Sequence, residues 1–326
     1  MASEIASVPV SRAPDSTGVH SGSRWADRGF RLICLAAALS VGLLLVLVLL
    51  ELIKGSHMAV AKFGWKFLVS RVWDQNTDQY GALAYIYGTV VSSIIALLIA
   101  VPLSVGTAIY LTDLAPTWLR QPLTSMIEML AAVPSVIWGL WGIFVLVPVL
   151  RVHVYPFLQK WFGFLPLFQG PIYGVGLLTA GIIVAIMILP IVTSVSREVL
   201  RSVPNLQREA AYALGATRWE VTRIAVLSYA RRGLFGAAVL GLGRALGETM
   251  AVTMLIGNAP YIGLSLFHPA DTLASVIANQ FGEASDLFLA SLFALGLVLL
   301  GITVFINILA QIMIHTFTTK ETRRVA

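Results

Sequence analysis

Uncharged apolar stretches of about 20 residues recur along this chain and constrain its fold more than any other feature. The hydrocarbon core of a bilayer is about 30 Å thick, so a helix needs roughly 20 apolar residues to cross it. The predicted spans are residues 32–50, 85–111, 129–150, 172–196, 234–258 and 287–315. These stretches are too continuous for the alternating strands of a barrel. The sequence therefore predicts an all-α polytopic membrane protein with six transmembrane helices.

Composition supports the membrane assignment. Hydrophobic residues make up 58% of the chain and charged residues 12%, about half the roughly 25% charged residues of a soluble domain. These values argue against a soluble enzyme, a disordered protein and a nucleic-acid binder. Cys34 is the only cysteine, and no Walker A, His-Glu-x-x-His or Gly-x-Ser-x-Gly motif occurs. We predict a protein that is not an enzyme, with no catalytic residues, no metal site and no cofactor.

The positions of the basic residues predict the orientation of the chain, because cytoplasmic loops are enriched in Lys and Arg. Basic residues concentrate in the N-terminal segment, the second and fourth loops and the C-terminal tail. This set comprises Arg12, Arg24, Arg28, Arg31, Arg120, Arg197, Arg201, Arg208, Arg218, Arg223, Arg231, Arg232, Lys320, Arg323 and Arg324. We expect both termini and the fourth loop to face the cytoplasm.

The expected organisation has three parts. Residues 1–31 form a mobile cytoplasmic tail, because their first part is rich in small and polar residues. Residues 32–315 form the six-helix transmembrane domain, and residues 316–326 form a cytoplasmic tail.

The fourth loop, residues 197–232, is long for a connector and is expected to be structured. We predict a short helix at 205–214 that ends at Gly215, because glycine is favoured just beyond a helix C-terminus. A capping box that begins at Thr217 predicts a second helix towards residue 229. The two helices would form an elbow on the cytoplasmic side.

The first elbow helix contains Glu209, Ala210 and Ala211. Small alanines let another surface approach closely, and Glu209 could set the register through charge pairs. The alternative is a solvated helix whose alanines only reflect helix propensity.

Two charged residues, Arg244 and Glu248, stand four apart in the fifth span and would share one helix face. Arg244 would lie roughly 15 Å deep, where a lone charge is costly. Gly243 and Gly247 flank the pair and would allow close helix packing. One interpretation is a pathway in which Arg244 meets an anion and Glu248 balances its charge. The alternative is a structural ion pair at a subunit interface.

The third span is expected to bend at Pro134, because proline removes a helix hydrogen bond and leaves a carbonyl unpaired. One interpretation is a gate or hinge formed by Glu128, Pro134 and Ser135. The alternative is a packing kink, with Glu128 at the inner interface of the membrane.

The fourth loop resembles the EAA loop of bacterial ABC importer permeases. The resemblance is carried by Glu209, Ala210 and Ala211, then by Gly215, and then by the run 224–227. In that family the loop forms a coupling helix that sits in a groove of the ATP-binding subunit. The family pattern usually has a proline where this chain has Ser228.

A second motif narrows the resemblance. Residues 241–252 are similar to the signature of phosphate-specific permeases, and residues 130–136 and 139–142 of the third span are also similar to that family. The resemblance covers residues from about 80 to 315. The run 247–252 favours the PstC type of permease over the PstA type.

The resemblance implies a permease subunit of an ATP-driven phosphate importer in the bacterial cytoplasmic membrane. Its pathway residues would be Arg244, Glu248 and Thr249. Its partners would be a PstA-like homologous permease, two PstB-like ATP-binding subunits and an extracytoplasmic PstS-like phosphate-binding protein. Two alternatives stay open, namely a permease for another oxyanion or small solute, and a membrane sensor or scaffold that does not transport.

Overall fold

A computed structural model describes the backbone of residues 23–325 and the side chains of residues 27–313. The mobile tail predicted at residues 1–31 lies outside the described residues over most of its length. Contacts divide the chain after Glu51 into two units, and the larger one begins at Leu52. The first unit contains the larger part of the first helix, and the core and the sites described below belong to the second unit.

The regular elements of the described range are helices, apart from an isolated bridge between Asp74 and Gln79 in the loop that joins residues 69 and 83. The helices are α1 (Ser23–Phe63), α2 (Lys66–Val69), α3 (Leu83–Ile109), α4 (Thr117–Ala131), α5 (Ser135–Trp141), α6 (Val147–Val149), α7 (Tyr155–Phe162), α8 (Leu177–Arg201), α9 (Asn205–Ala213), α10 (Arg218–Glu220), α11 (Leu227–Gly247), α12 (Met250–Leu255), α13 (Leu273–Gln280) and α14 (Asp286–Val325). Segments of π-helix at Tyr110–Leu114, Gly142–Leu146, Leu150–Val154 and Val221–Val226 continue or join several of them, and 3₁₀ turns lie at Pro166–Phe168 and Phe281–Glu283.

Within this range, six helices are long and apolar enough to cross a membrane. They run over Asp27–Phe63, Leu83–Leu114, Ser135–Phe162, Leu177–Arg201, Arg218–Gly247 and Asp286–Met313. The prediction of an all-α polytopic protein with six spans is therefore confirmed. The last helix continues as backbone to Val325, through most of the stretch that was expected to be a tail.

The main core forms where α3 and α8 pack side by side with the short helix α12 against them. Small residues such as Ala96 and Ala180 line the contact and let the two long helices approach closely. Ala251 and Leu255 of α12 are fully buried in the same cluster. A short helix that lies between spans is therefore part of the protein interior.

The predicted third span at 129–150 is wrong in its boundaries. Helix α4 ends at Ala131, and the spanning helix begins at Ser135. Pro134 between them has an extended backbone with ψ 143°. Proline cannot donate a helix hydrogen bond and restricts the residue before it, so the chain breaks here completely instead of kinking within one helix.

The predicted fifth span at 234–258 is also wrong in its boundaries. The helix begins earlier, at Arg218, and ends at Gly247. Glu248 follows with an extended backbone (ψ 127°), and α12 begins at Met250. Glycine is a weak helix former, which favours a break at this point. Glu248 is therefore not on the helix that carries Arg244, and the expected shared helix face does not exist.

Candidate functional site

The two breaks in the spanning helices face each other. Helix α5, which starts after Pro134, packs along α12, which starts after Glu248. Two glycines make the approach possible: a Cβ atom on Gly139 would stand 2.5 Å from Met254 Sδ, and one on Gly142 would stand 2.5 Å from Leu255 Cδ1. The sequence reading singled out these glycines only as part of a motif, and the structure gives their physical reason.

Glu248 is half-buried at this meeting point. Its carboxylate interacts with the side chain of Ser135 and with the backbone N–H groups of Thr249 and Ala251. The Thr249 hydroxyl donates a hydrogen bond to the carbonyl of Gly247 at 3.1 Å. The fold thus brings together Ser135, predicted as part of a hinge, with Glu248 and Thr249, predicted as pathway residues.

Arg244 lies one helical turn before the break, near the end of α11, and its side chain is exposed. The guanidinium attracts the Glu248 carboxylate electrostatically, but among the described residues it makes no hydrogen bond and no ion pair within 4 Å. Arg244 instead lines an open cavity of about 530 Å³ between α8, α11 and α14. The expected close Arg244–Glu248 pair is therefore a longer-range attraction.

The predicted packing glycines, Gly243 and Gly247, both face open space among the described residues. A Cβ atom at either position would meet no heavy atom within 4 Å. The glycines of α11 that do pack on α8 are Gly233 and Gly241, where a Cβ atom would stand 2.4 Å from Val199 Cγ1 and 2.7 Å from Val192 Cγ2. Gly243 lines the same cavity as Arg244, so one face of α11 is open around the charge.

Glu128 lies on α4, where it joins that helix to α8. Its carboxylate stands 3.4 Å from Nη2 of Arg197, and Nη1 of the same arginine donates a hydrogen bond to Thr124 Oγ1 at 2.6 Å. The Arg197 side chain is only 12% exposed, whereas that of Glu128 is 56% exposed. Glu128 therefore belongs to a contact between helices and lies apart from the meeting of Ser135 and Glu248.

The elbow in the fourth loop has the predicted local structure. Helix α9 ends at Ala213, and Gly215 adopts φ +83°, a conformation that glycine reaches without steric cost. The N–H of Ala216 donates to the carbonyl of Ala211 at 3.2 Å, which closes the helix end. The capping box between Thr217 and Glu220 is present, with the Thr217 N–H 2.7 Å from Glu220 Oε2. The second elbow helix does not stop near residue 229 but continues as the fifth span.

The elbow presents an exposed apolar surface. Leu206, Leu214 and Trp219 are 76%, 90% and 56% exposed. Glu209 and Ala210 are also exposed, and Ala211 is half-buried. A group of exposed large apolar side chains is typical of an interaction surface.

Asp113, which holds the elbow in place, was not predicted from the sequence. Asp113, in the π-helical end of the second span, lies 2.6 Å from Arg208 Nη1 on α9 and accepts a hydrogen bond from Thr222 Oγ1 at 3.1 Å. Arg208 also donates to the carbonyl of Leu200 at 2.9 Å. In the sequence, Asp113 stands out as the only acidic residue between residues 79 and 127. It lies in the second loop, which is one of the loops that carry the concentrated basic residues.

Comparison with known proteins places these features in context. A protein-family profile described as "Binding-protein-dependent transport system inner membrane component" matches residues 100–317. This match includes both helix breaks, the elbow and the last span.

Individual relatives match over nearly the whole chain. The chain is 50% identical to the phosphate transport system permease protein PstC of Mesorhizobium japonicum, over 88% of this chain and 90% of that protein. It is 48% identical to the PstC protein of Haemophilus influenzae, over 89% of this chain and 93% of the relative. The probable PstC protein of Methanocaldococcus jannaschii is 38% identical, over 86% and 91%.

Solved structures show the same fold at lower identity. A chain of a bacterial alginate ABC transporter, in complex with an alginate pentasaccharide-bound periplasmic protein, aligns with a TM-score of 0.60 at 17% identity. The alignment covers 90% of this chain and 98% of the transporter chain.

Proposed function

The chain belongs to the family of binding-protein-dependent transport system inner membrane components, and from that premise we propose that it is the PstC-type permease subunit of an ATP-driven phosphate importer. The observation that carries the proposal is Arg244, an exposed guanidinium on a spanning helix that lines an open cavity. A charge at such a position is costly in lipid and normally faces a substrate path. The relatives at 48–50% identity are all named as phosphate transport permeases.

Arg244 supplies the positive charge that a phosphate oxyanion requires, through the planar donor fork of the guanidinium. Glu248 lies close enough to attract Arg244 but does not occupy its donors. Together with Thr249 and Ser135, it stands where two interrupted helices meet, an arrangement known from transporter sites. The chain itself breaks no bond in phosphate, and a homologous PstA-like permease supplies the other half of the pathway.

The elbow is the proposed contact with the ATPase. Glu209, Ala210 and Ala211 lie on α9, next to the exposed Leu206 and Leu214. An apolar centre with charged neighbours suits docking into a groove of a PstB-like subunit, of which the complete importer holds two. The Asp113–Arg208 pair links this surface to the end of the second span. A movement of the ATPases would therefore reach the membrane helices through a short, directly bonded connection.

The proposed organisation and orientation follow from this coupling. Residues 32–315 form the permease domain, with the family core at about 80–315 and the coupling loop at 197–232. The elbow and both termini face the cytoplasm, and a PstS-like binding protein delivers phosphate on the opposite face. Glu128, Pro134 and Ser135 form a hinge region, in which the break at Pro134 lets α4 and α5 move separately.

The direct test is uptake of labelled phosphate by vesicles that hold the assembled complex of permeases and ATPases, with the binding protein added. We expect uptake that requires ATP and the binding protein, and that excess unlabelled phosphate abolishes but excess sulfate does not. Equal competition by sulfate would favour a general oxyanion permease. Ligand-dependent signalling to the ATPase without any uptake would favour a sensor.

A further inference from the structure

Two amide side chains on the last span share the cavity with Arg244. Asn307 and Gln311 stand four residues apart on α14, so they lie on one helix face. Both line the cavity of about 530 Å³ that also exposes Arg244. The rest of the lining comes from apolar side chains and glycines of α8, α11 and α14.

The hydrogen-bonding groups of these three side chains have no partner among the described side chains. A guanidinium has five N–H donors, and each amide has two more together with one acceptor oxygen. Among the residues whose side chains the structure describes, Arg244, Asn307 and Gln311 make no hydrogen bond or ion pair with one another or with a neighbour. Both amides lie within the last span, Asp286–Met313, and polar side chains on spanning helices normally face a wet path or a ligand.

The space fits a hydrated oxyanion. A water molecule takes up roughly 30 Å³, so the cavity holds a tetrahedral anion together with several waters. Gly236 and Gly243 form part of its wall, and a Cβ atom on either would meet nothing within 4 Å. The absence of side chains at these two positions leaves space in the cavity beside Arg244.

We propose that Asn307 and Gln311 complete, together with Arg244, a transit site that recognises a protonated tetrahedral oxyanion. Arg244 pairs with the negatively charged oxygens. The amide N–H groups donate to the remaining oxygens, and an amide carbonyl accepts the proton of the P–OH group. Sulfate has no such proton at neutral pH, so the amides add a contact that sulfate cannot make. This proposal deepens the function proposed above and rests on it.

The first test measures uptake by the assembled complex with Asn307→Leu and Gln311→Leu. Loss of a hydrogen bond to a charged group corresponds to a fall of about tenfold or more in rate. We expect the maximum rate to fall by this factor for each variant, while the KM for phosphate changes little because capture occurs outside the membrane. Ile308→Leu is the matched control, since Ile308 is a 52% exposed neighbour on α14 that does not line the cavity.

Substitution of the two amides by acids of the same shape distinguishes a role in anion recognition from a role in packing. Asn307→Asp and Gln311→Glu keep the shape of each side chain but place a negative charge beside Arg244. We expect these variants to assemble normally and to lose uptake at least as completely as the leucine variants. If they transport at the wild-type rate while the leucine variants fail to assemble, the amides are contacts to a neighbouring subunit and the proposal is overturned.

A second measurement does not depend on the transport rate. Cys34 is the only cysteine of the chain, so a Cys34→Ser background carrying Gln311→Cys has a single thiol. We expect phosphate to slow its modification by a negatively charged methanethiosulfonate several-fold, and to leave modification of an Arg71→Cys control, at an exposed loop position, unchanged. Absence of protection at position 311 would overturn the transit site.

Uptake by the wild-type complex in the same vesicles separates failure of the proposed function from failure of the transit site alone. If it shows no ATP-dependent phosphate uptake, the proposed function fails and the transit site fails with it. If it transports phosphate and all four amide variants also transport at the wild-type rate, the transit site alone is wrong.

Discussion

Oδ1 of Asp113 lies 2.6 Å from Nη1 of Arg208, and this ion pair bonds the end of the second span directly to the elbow helix α9. The two side chains are only 10% and 21% exposed. Thr222, at the start of the fifth span, donates a hydrogen bond to the other carboxylate oxygen of Asp113. One carboxylate therefore ties three segments together at the surface proposed to meet the ATPase.

Asp113→Asn is expected to loosen this junction and to uncouple ATP hydrolysis from uptake. Loss of the charge weakens the ion pair with the mostly buried Arg208 and the hydrogen bond from Thr222, at a cost of about 1–3 kcal/mol in unfolding free energy. Thermal unfolding and the ratio of phosphate imported to ATP hydrolysed measure the two effects. Glu283→Gln, at an exposed position, is the control. If Asp113→Asn and Arg208→Gln destabilise additively when combined, the two residues do not act as a pair.

Arg244→Ala is expected to lower phosphate uptake at least tenfold while the subunits still assemble. The guanidinium has no ion-pair partner within 4 Å among the described residues, so its removal breaks no such contact in the fold. Uptake and co-purification of the partner subunits are the two readouts. Arg71→Ala, which removes an exposed loop arginine, should leave both unchanged. Normal uptake by Arg244→Ala would remove this residue from the pathway.

Gly215→Val is expected to reduce the uptake obtained per ATP hydrolysed. The backbone at Gly215 has φ +83°, which costs a residue with a Cβ about 1–2 kcal/mol, although the space around it is open. Gly215→Asn should be milder, because asparagine adopts this conformation more readily. Gly282→Ala is the control, since that position is equally open and has no positive φ. Equal behaviour of the valine and asparagine variants would show that backbone conformation is not the cause.

Gly142→Ala is expected to destabilise the contact between α5 and α12. The new Cβ atom would stand 2.5 Å from Cδ1 of Leu255, which is fully buried. Overpacking of this kind costs about 1–3 kcal/mol. The Tm in detergent measures the loss, and Leu255→Ala should restore part of it in the double variant. If the loss of Tm in the double variant equals the sum of the losses in the two single variants, the residues at positions 142 and 255 do not interact.

The stability of the protein is expected to fall as pH rises through the titration of Asp271. This residue lies between α12 and α13 and is 2% exposed, and burial raises the pKa of its carboxyl from 3.8 to about 6. The folded state therefore holds a proton that the unfolded state has lost, so unfolding free energy decreases with pH between those two values, by about 3 kcal/mol at most. Asp271→Asn should flatten this dependence of the Tm.

The exposed acid Glu283 supplies the control for that measurement. Glu283→Gln should leave the slope of Tm against pH unchanged. An Asp271→Asn variant that keeps the wild-type slope would show that another group titrates.

Hydropathy was sufficient to predict the number of spans, because each of the six is a nearly uninterrupted apolar run. The free energy of placing such a run in lipid depends mainly on its own residues. The elbow was also predictable, since a helix end at Gly215 and a capping box at Thr217 depend on neighbouring residues. These are features for which a short window of sequence contains all the interacting groups.

The breaks and the contacts across them were not predictable in this way. Pro134 is compatible with either a kink or a complete break, and the tertiary packing of α5 on α12 decides between them. The meeting of Ser135 with Glu248 and the pairing of Asp113 with Arg208 join residues far apart in the chain. Asn307 and Gln311 were visible as polar residues in the last span, but only the fold places them beside Arg244.

The fifth span runs unbroken from Arg218 at the elbow to Gly247 at the helix break. At 1.5 Å per residue, Arg244 stands about 39 Å along this rod from the elbow. A tilt of only 10° about the elbow end would displace the guanidinium by about 7 Å, the distance of a full turn of helix and more. The proposed docking surface and the Arg244 guanidinium thus lie at opposite ends of one helix, so a small angular change at the first would be a large translation at the second.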